Sequence, residues 1–476
     1  MTATLPDRSS HTEAVTALRR SYAAIPAGTP VRLAKRTSNL FRPRAAGTVA
    51  GLDVSGLDGV LSIDPVARTA DVQGMCTYER LVQACLRHGL MPKVVPQLKS
   101  ITLGGAVTGL GIESSSFRNG LPHESVIEMD VLTGAGELLT VSPTRHPDLF
   151  AGFPNSYGSL GYAVRLLIEL DPVRPFVGLR NVRFESLDEL TAAIGRITAD
   201  RRWDGEAVDF LDGVVFGPGR AYLCLGRWMD SPAAAGVEAA SDYTGQQIYY
   251  RSITERGRDC LHVADYLWRW DTDWFWCSGA FGVHNPVIRR LWPARYRRSD
   301  FYHRLIGLDH RFGVAAKIDR IRRLGPRERV VQDVEIPLER TADFLRWFAV
   351  NVAMSPVWLC PLMLRRPDPG PHDGPHDGPA AKPWPLYPLS PGQAYVNVGF
   401  WGTVSIAEGK ADGDVNQRVE AAVAEHAGHK SLYSDAYYDR HAFAAVYGGA
   451  VYAQLKDTFD PGHRLTGLYE KAVGRR

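Results

Sequence analysis

The sequence predicts an α+β protein in two main parts, and three observations carry that prediction. Up to about residue 172, short apolar runs alternate with amphipathic helical stretches. The middle of the chain sets strand-like segments among helical ones. The composition, 476 residues of which 45% are hydrophobic and 22% charged, supports a large buried core and excludes a disordered chain. The 55 basic and 52 acidic side chains leave a formal charge of +3, which gives no global signature of a nucleic-acid partner. Basic charge is mostly arginine, and with the abundant alanine and glycine it points to a GC-rich bacterial genome.

The elements follow in order. Thr12–Ile25 has helical spacing, with Val15, Leu18, Tyr22 and Ile25 on one side. Short apolar runs come next at Val31–Ala34, Gly59–Ile63 and Thr69–Gln73. Thr77 is placed to cap a helix in which Leu81, Ala84, Cys85 and His88 share a face, and Gly89 suits its C-terminal end. VIEMDVLTGAGELLTVS reads as a β-hairpin turning at Gly134 and Gly136, and Ala163–Leu170 as a buried strand. Ser186 with Glu189 is a capping-box signal for the helix that follows. An aromatic-rich, arginine-rich stretch runs from Tyr249 to Arg323, then come a strand at Val330–Pro337 and a helix at Thr341–Met354. Residues 367–392, PDPGPHDGPHDGPAAKPWPLYPLSPG, have too little apolar area to pack and read as a mobile loop. Its His372 and His376 are of metal-ligating type, but a solvated duplicated loop accounts for them, and no metal is expected.

Six cysteines (Cys76, Cys85, Cys224, Cys260, Cys277, Cys360) are scattered without a Cys-x-x-Cys pair, which fits a reducing cytosol. The N-terminal MTATLPDRSSHTEAV lacks the apolar core of a secretory signal. No run approaches the roughly 18 apolar residues of a membrane span. The expected location is cytoplasmic, at most peripheral at the inner face of the membrane.

The stretch richest in chemistry is VPQLKSITLGGAVTGLGIESSS, Val95–Ser116, where Gly104, Gly105, Gly109 and Gly111 fall close together. Glycines so placed allow φ > 0 and close approach of a ligand, and successive N–H groups there can cradle phosphate oxygens. The spacing is neither Gly-x-Gly-x-x-Gly nor a P-loop. With VSGLDGVLSIDPVARTADVQGMCTYERLVQACLRHGLMPKVVP before it and SYGSLGYAVRLLIEL after it, the stretch resembles the FAD-binding domain of the vanillyl-alcohol-oxidase/p-cresol-methylhydroxylase (PCMH) flavoproteins.

That resemblance implies an FAD cofactor clasped by two loops. The later one would use Thr102, Leu103, Gly104, Gly105, Thr108, Gly109, Gly111, Ile112, Glu113, Ser114 and Ser115. A turn at Gly158 and Gly161 would lead to a strand whose backbone meets the adenine near Val164. The earlier loop, near Leu33–Phe41, would contribute Lys35, Arg36, Thr37 and Ser38. Many members carry a Gly-His pair there, the histidine bonded to the flavin; RLAKRTSNLFRPR has neither, so FAD is expected to be non-covalent.

A resemblance over nearly the whole chain rests on SITLGGAVTGLGIESSSFRNGL, RVVQDVEIPLE, SPVWLCPLML, YVNVGFWG and KSLYSDAYYDRHAF, which are similar to the Δ24-sterol reductase family. It implies FAD- and NADPH-dependent saturation of an isolated carbon–carbon double bond in a lipid. Among relatives the chain looks most like the actinobacterial branch that reduces a 10-methylene fatty acyl chain to the 10-methyl form. An isolated alkene offers no carbonyl to take up negative charge, so proton transfer should lead hydride transfer, and an acid and a dry channel are required.

Candidates for that chemistry are Tyr433, Asp435 and Tyr437 in LYSDAYYDR, a segment that related oxidases fold back onto the flavin ring, and Gln332, which relatives aim at the flavin. Gln332 could equally be a ladder residue facing solvent. Cys360 is either a pocket residue or an inert buried thiol. The segment YLWRWDTDWFWCSGAF, with Trp268, Trp270, Trp274 and Trp276, is either a channel wall or a packed core strand with Asp271 and Asp273 solvated. From 288 to 323, basic residues interleaved with aromatic ones suit docking to anionic lipid, or else a helical cap with solvated arginines.

The sequence thus points to a PCMH-type FAD-binding domain at 1–172, a substrate or cap domain with an antiparallel sheet and flanking helices at 173–430, and a segment at 431–476 that returns to the first domain. The expected partners are NADPH, a phospholipid-linked acyl substrate and a lipid methyltransferase. Two rivals are an FAD oxidase of a sugar or polyol alcohol, and a flavin-bound partner subunit of the methyltransferase. The first would want a lysine where Ala436 or Tyr437 stands.

Overall fold

The computed structural model describes residues 8–34, 41, 51–312, 325–365 and 383–474. The first sheet is built from β1 (Val60–Asp64), β2 (Thr69–Gln73), β3 (Leu90–Pro92), β4 (Val126–Thr133), β5 (Leu138–Val141) and β6 (Gly161–Pro172). Its order is β1-β2-β6-β4-β5, with β3 also on β6, and every pairing is antiparallel. The long β6 alternates buried and half-buried side chains, as a strand at the centre of a one-sided sheet should. The hairpin turns at Gly136, φ +86°, between β4 and β5. Thr77 caps the helix Tyr78–Leu86 by accepting from Arg80 N at 3.4 Å, and Gly89 follows at φ +68°.

The chain changes sheet between Pro172 and Phe176. There follow β7 (Phe176–Phe184), the small hairpin β8 (Arg202–Trp203) with β9 (Glu206–Ala207), β10 (Phe210–Val215), β11 (Ala221–Met229), β12 (Arg258–His262), β13 (Arg327–Pro337), β14 (Val357–Met363), β15 (Ala394–Ser405) and β16 (His429–Lys430). Apart from β8 and β9 they form one antiparallel sheet, ordered β12-β7-β11-β10-β14-β15-β13-β16. The protein is therefore α+β, as its sequence pattern predicts.

The two faces of this second sheet do different work. Leu211, Leu223, Val330, Val334, Leu359 and Val398 face one way, packed with Ile194, Phe344 and Val423 from the helices Leu187–Asp200, Leu338–Asn351 and Asp414–Glu425. Ser186 caps the first of these, accepting from Asp188 N and Glu189 N at 3.2 and 3.4 Å. The opposite face carries Val214, Cys224, Val331, Trp358, Cys360 and Trp401, which share a continuous core with Leu103 and Val107 of the first domain. The interface between domains is thus itself a core.

The helices Arg440–Val446, Gly449–Phe459 and Leu468–Ala472 close the chain against the first domain. Ala135 N donates to Phe459 O at 3.0 Å, Val31 N to Arg464 O at 2.7 Å, and Lys456 Nζ to Ser159 O at 2.7 Å. Residues 366–382, with His372 and His376, lie outside the described residues. The end of the expected mobile loop is packed instead: Tyr387 and Leu389 are buried beside Leu121, Leu362 and Tyr395, and Leu386 is buried in the main core. Their apolar side chains supply the area that the repeat before them lacks. No helix among the described residues is long and apolar enough to cross a membrane, and no cluster of three His, Cys, Asp or Glu there is placed to hold a metal.

Candidate functional site

The Gly-rich stretch is not an open loop but a short helix, Leu103–Gly109. Thr102 caps it, Oγ1 accepting from Gly105 N at 3.3 Å. None of Gly104, Gly105, Gly109 and Gly111 takes a positive φ; that conformation falls on Leu110, φ 68°. What the glycines provide is proximity. A Cβ on Gly104 would lie 2.7 Å from Gly74 O, and one on Gly111 2.8 Å from Pro96 Cγ. Gly104 N donates to Gly74 O and Gly74 N to Val164 O, at 2.9 and 2.8 Å, which ties the helix start to β6. Thr108 Oγ1 turns back onto Gly104 O at 2.8 Å.

The expected turn at Gly158 is present, φ +72°, and Gly161 packs on β4 where a Cβ would meet Leu132 O at 2.8 Å. Two lysines from the C-terminal helices hold this turn: Lys471 Nζ donates to Tyr157 O and Gly158 O at 3.0 and 2.9 Å, and Lys456 reaches Ser159 O. Nothing local in the sequence announces them. Lys35, Arg36, Thr37 and Ser38 lie outside the described residues. Beside them Phe41 is described; its N–H donates to Tyr433 O at 3.0 Å and its ring stacks on Trp274.

Glu113 and Ser114 are turned into the domain junction. Glu113 Oε1 and Asp212 Oδ2 both accept from Arg269 Nη2, at 2.9 and 2.8 Å, and all three residues are buried. Burial pushes the Glu113 carboxyl up, against the pull of Arg269. Ser114 Oγ meets Tyr266 OH at 2.9 Å, and Ser115 Oγ donates to Lys93 O at 2.8 Å. Ile112 packs beside Tyr387 and Leu362.

On the second sheet, strand parity decides which side chains reach the junction. Gln332 points away from it, in register with Phe400, and Nε2 donates to Asn416 Oδ1 at 2.6 Å under the helix Asp414–Glu425. It is fully buried and faces neither solvent nor the first domain, which corrects both readings of it. Its neighbours Asp333 and Glu335 take the face towards the first domain. Asp333 stands opposite Gly399, where a Cβ would overlap Asp333 Oδ1 and lie 2.7 Å from Trp401 Cη2. Asn397 Nδ2 donates to Asp333 Oδ1 at 3.2 Å. Asp333 is pushed up to about 7 by burial, with hydrogen bonds from Asn397 and Tyr433 pulling the other way.

Tyr433 is brought there by β16. That strand pairs with β13, Ser431 N donates to Asp333 O at 3.0 Å, and Ser431 Oγ donates to Glu335 Oε1 at 2.7 Å. The Tyr433 hydroxyl accepts from Trp401 Nε1 at 2.8 Å, and burial raises its pKa. The other two candidates from this segment go elsewhere. Asp435 Oδ2 accepts from Arg329 Nη2 at 3.0 Å, and Tyr437 lies against Gly413, its N–H on Glu420. Cys360 is fully buried opposite Asn397, its thiol held protonated by burial.

The segment 266–281 is not a strand. It is the helix Val263–Leu267, a run of turns, and a 3-10 helix at Cys277–Phe281. Phe275 sits 4.3 Å from the Trp401 ring, and Trp276 sits 5.4 Å from it. Trp274 stacks on Phe41. An aromatic wall therefore stands beside Tyr433. Asp271 and Asp273 are buried rather than solvated: the first accepts from Ser299 Oγ and Lys99 N, the second from both Nη atoms of Arg289. Arg289 and Arg297 are buried too, whereas Arg290 and Arg295 are exposed.

Asp333, Tyr433, Tyr157, Trp276 and the run Gly109–Ile112 are half-buried although they lie between the two domains. Partial exposure in that position means a crevice, with the Gly-rich helix on one wall and β13–β15 on the other. Its residues fit the expected dinucleotide. Ser156 Oγ and Asn397 Oδ1 are buried with no hydrogen-bond partner among the described residues, polar atoms that cost about 1–3 kcal/mol each if left unmatched. The Gly-rich wall adds no side chain at four positions.

A family model for an FAD binding domain matches residues 9–142. The Δ24-sterol reductase of Homo sapiens is 23% identical over 423 residues, covering 87% of this chain and 75% of that protein. A Δ24-sterol reductase homologue of Caenorhabditis elegans is 24% identical over 442 residues, covering 88% and 78%. Cytokinin dehydrogenase 6 of Oryza sativa is 32% identical over 146 residues, 30% of this chain and 27% of that protein. The chain thus carries an FAD-binding domain at its N-terminal end and is similar over most of its length to the Δ24-sterol reductases.

Proposed function

We propose that the protein reduces an isolated carbon–carbon double bond in a lipid, with NADPH as electron donor and non-covalent FAD between the two. The observation that carries this reading is the pairing of an aromatic wall (Trp274, Phe275, Trp276, Trp401) with a carboxyl and a phenol, Asp333 and Tyr433, at one end of the crevice. An apolar chain is solvated by such a wall, and positive charge developing at a branched carbon gains about 0.5–2 kcal/mol per aromatic face. When bound, FAD supplies the hydride. The chain's own residues hold the cofactor along Thr102–Thr108 and Gly158–Val164, exclude water with the wall, and hold a proton at Asp333.

The finer substrate we infer is a 10-methylene fatty acyl chain on a phospholipid, reduced to the 10-methyl chain, with a lipid methyltransferase as the partner that makes the alkene. Val287, Ile288 and Leu291 are exposed on the helix Pro286–Leu291 beside exposed Arg290 and Arg295, which supports docking on an anionic lipid surface. The sugar-alcohol oxidase is disfavoured because Lys430, the lysine nearest Tyr433 in sequence, is locked to Glu420 Oε1 at 2.6 Å and Asp435 O at 2.5 Å.

The test is an anaerobic absorbance experiment on the purified protein. Oxidised-flavin bands at about 375 and 450 nm should bleach with NADPH and return when a 10-methylene acyl lipid is added. Bleaching by a sugar alcohol, with NADPH inert, would replace this reading by the oxidase.

A further inference from the structure

We propose that Asp333 is the general acid of the reaction, its carboxyl delivering the proton to one alkene carbon from beneath the Tyr433 hydroxyl. The inference rests on the alkene-reductase reading and names the donor that reading requires. In the step, the π electron pair forms a C–H bond to the carboxyl's proton. The other carbon accepts a hydride from FAD reduced by a dihydronicotinamide, and the carboxylate left behind is reprotonated from solvent.

Geometry selects Asp333 from the groups around it. It is half-buried on the crevice face of β13, whereas Glu335 is fully buried and tied to Ser431. Asp435 is neutralised by Arg329, Asp273 by Arg289, and Asp271 is bonded to Ser299 and Lys99. Tyr433 and Cys360 are made weaker acids by burial. Gly399 across the ladder leaves the room in which the Asp333 carboxyl and the Trp401 ring both fit.

The titratable groups facing Asp333 are Glu335 on its own strand, Cys360 on β14 and Tyr433 on the C-terminal segment. Asn397, Gly399 and Trp401 of β15 carry no charge. Among these neighbours nothing stabilises the carboxylate by opposite charge, and burial accordingly keeps the proton on to about pH 7.

Asp333→Asn tests this with two readouts. In single turnover, reoxidation of the reduced enzyme by a 10-methylene acyl lipid should slow by about 100-fold or more. The wild-type rate should fall as pH rises through 7, a limb the variant lacks, and Asp333→Glu should recover part of the rate. The second readout needs no turnover. The folded carboxyl keeps a proton that the unfolded one loses near pH 4, so wild-type stability declines between about pH 4 and 7 on this account. The melting temperature of Asp333→Asn should therefore gain on wild type between pH 5 and pH 8. A variant that reduces the lipid within threefold of wild type, or a melting difference independent of pH, overturns the proposal alone. A wild type whose NADPH-reduced flavin ignores every alkene overturns the alkene reading and the proposal together.

Discussion

Asp333 and Gln332 are adjacent, and one peptide unit separates a proton-holding crevice residue from a core amide. In VVQDVEIP the apolar set Val330, Val334 and Ile336 shares parity with Gln332, so the helix-covered face claims all four. Asp333 and Glu335 then fall together on the other face, a signal present in the sequence but hidden by the resemblance that favoured the glutamine. Gln332→Leu should leave the flavin spectrum unchanged. It should cost about 1–3 kcal/mol in urea unfolding, because Asn416 Oδ1 loses its donor in a buried place. A displaced flavin band in that variant would return Gln332 to the cofactor.

Among the elements, the Gly-rich helix and β16 show two ways of placing a site. The helix Leu103–Gly109 is fixed by what it lacks: without a Cβ, Gly104 brings its backbone against the Gly74 turn and so against β6. Gly104→Ala should push that helix off the turn, lowering stability by about 1–3 kcal/mol and reducing the flavin-to-protein ratio on purification. Both are read from one sample, by melting and absorbance, and full flavin content in the variant would detach the helix from cofactor binding. β16 works by pairing: two residues on the edge of β13 suffice to swing Tyr433 over Asp333. So short a strand has no periodicity of its own, and its presence was not legible.

For the whole molecule, the domain junction is a core with charge inside it. Arg269 bridges Glu113 of the first domain and Asp212 of the second, and Trp270 and Trp358 donate to the same Asp212 oxygen at 3.1 and 3.3 Å. Arg269→Met should cost about 3–5 kcal/mol, since it leaves two buried carboxylates without a cation. Calorimetry should show the loss, and it should be smaller at low pH, where the Glu113 carboxyl, pushed up by burial, takes a proton. A neutral variant would mean that packing alone joins the domains. Glu113 and Ser114, expected at the cofactor by resemblance, have side chains that bond Arg269 and Tyr266 across the junction.

What the sequence determined by itself was local and periodic. Caps at Thr77 and Ser186 follow from hydroxyl chemistry, the turn at Gly136 from a backbone that only glycine takes cheaply, and the α+β class from the alternation of periods. The glycine cluster and its flanks pointed to FAD through the family they resemble, whereas the glycines by themselves signal only a close approach to the backbone. What only the tertiary structure decided was which distant groups meet: Arg269 with Glu113, Lys471 with the Gly158 turn, Asp333 with Tyr433 and Gly399. Those meetings depend on strand order and register across chain separations of 66 to 314 residues. Spacing along the chain says nothing of such distances, because they are set by how two sheets pack rather than by any residue's own preference.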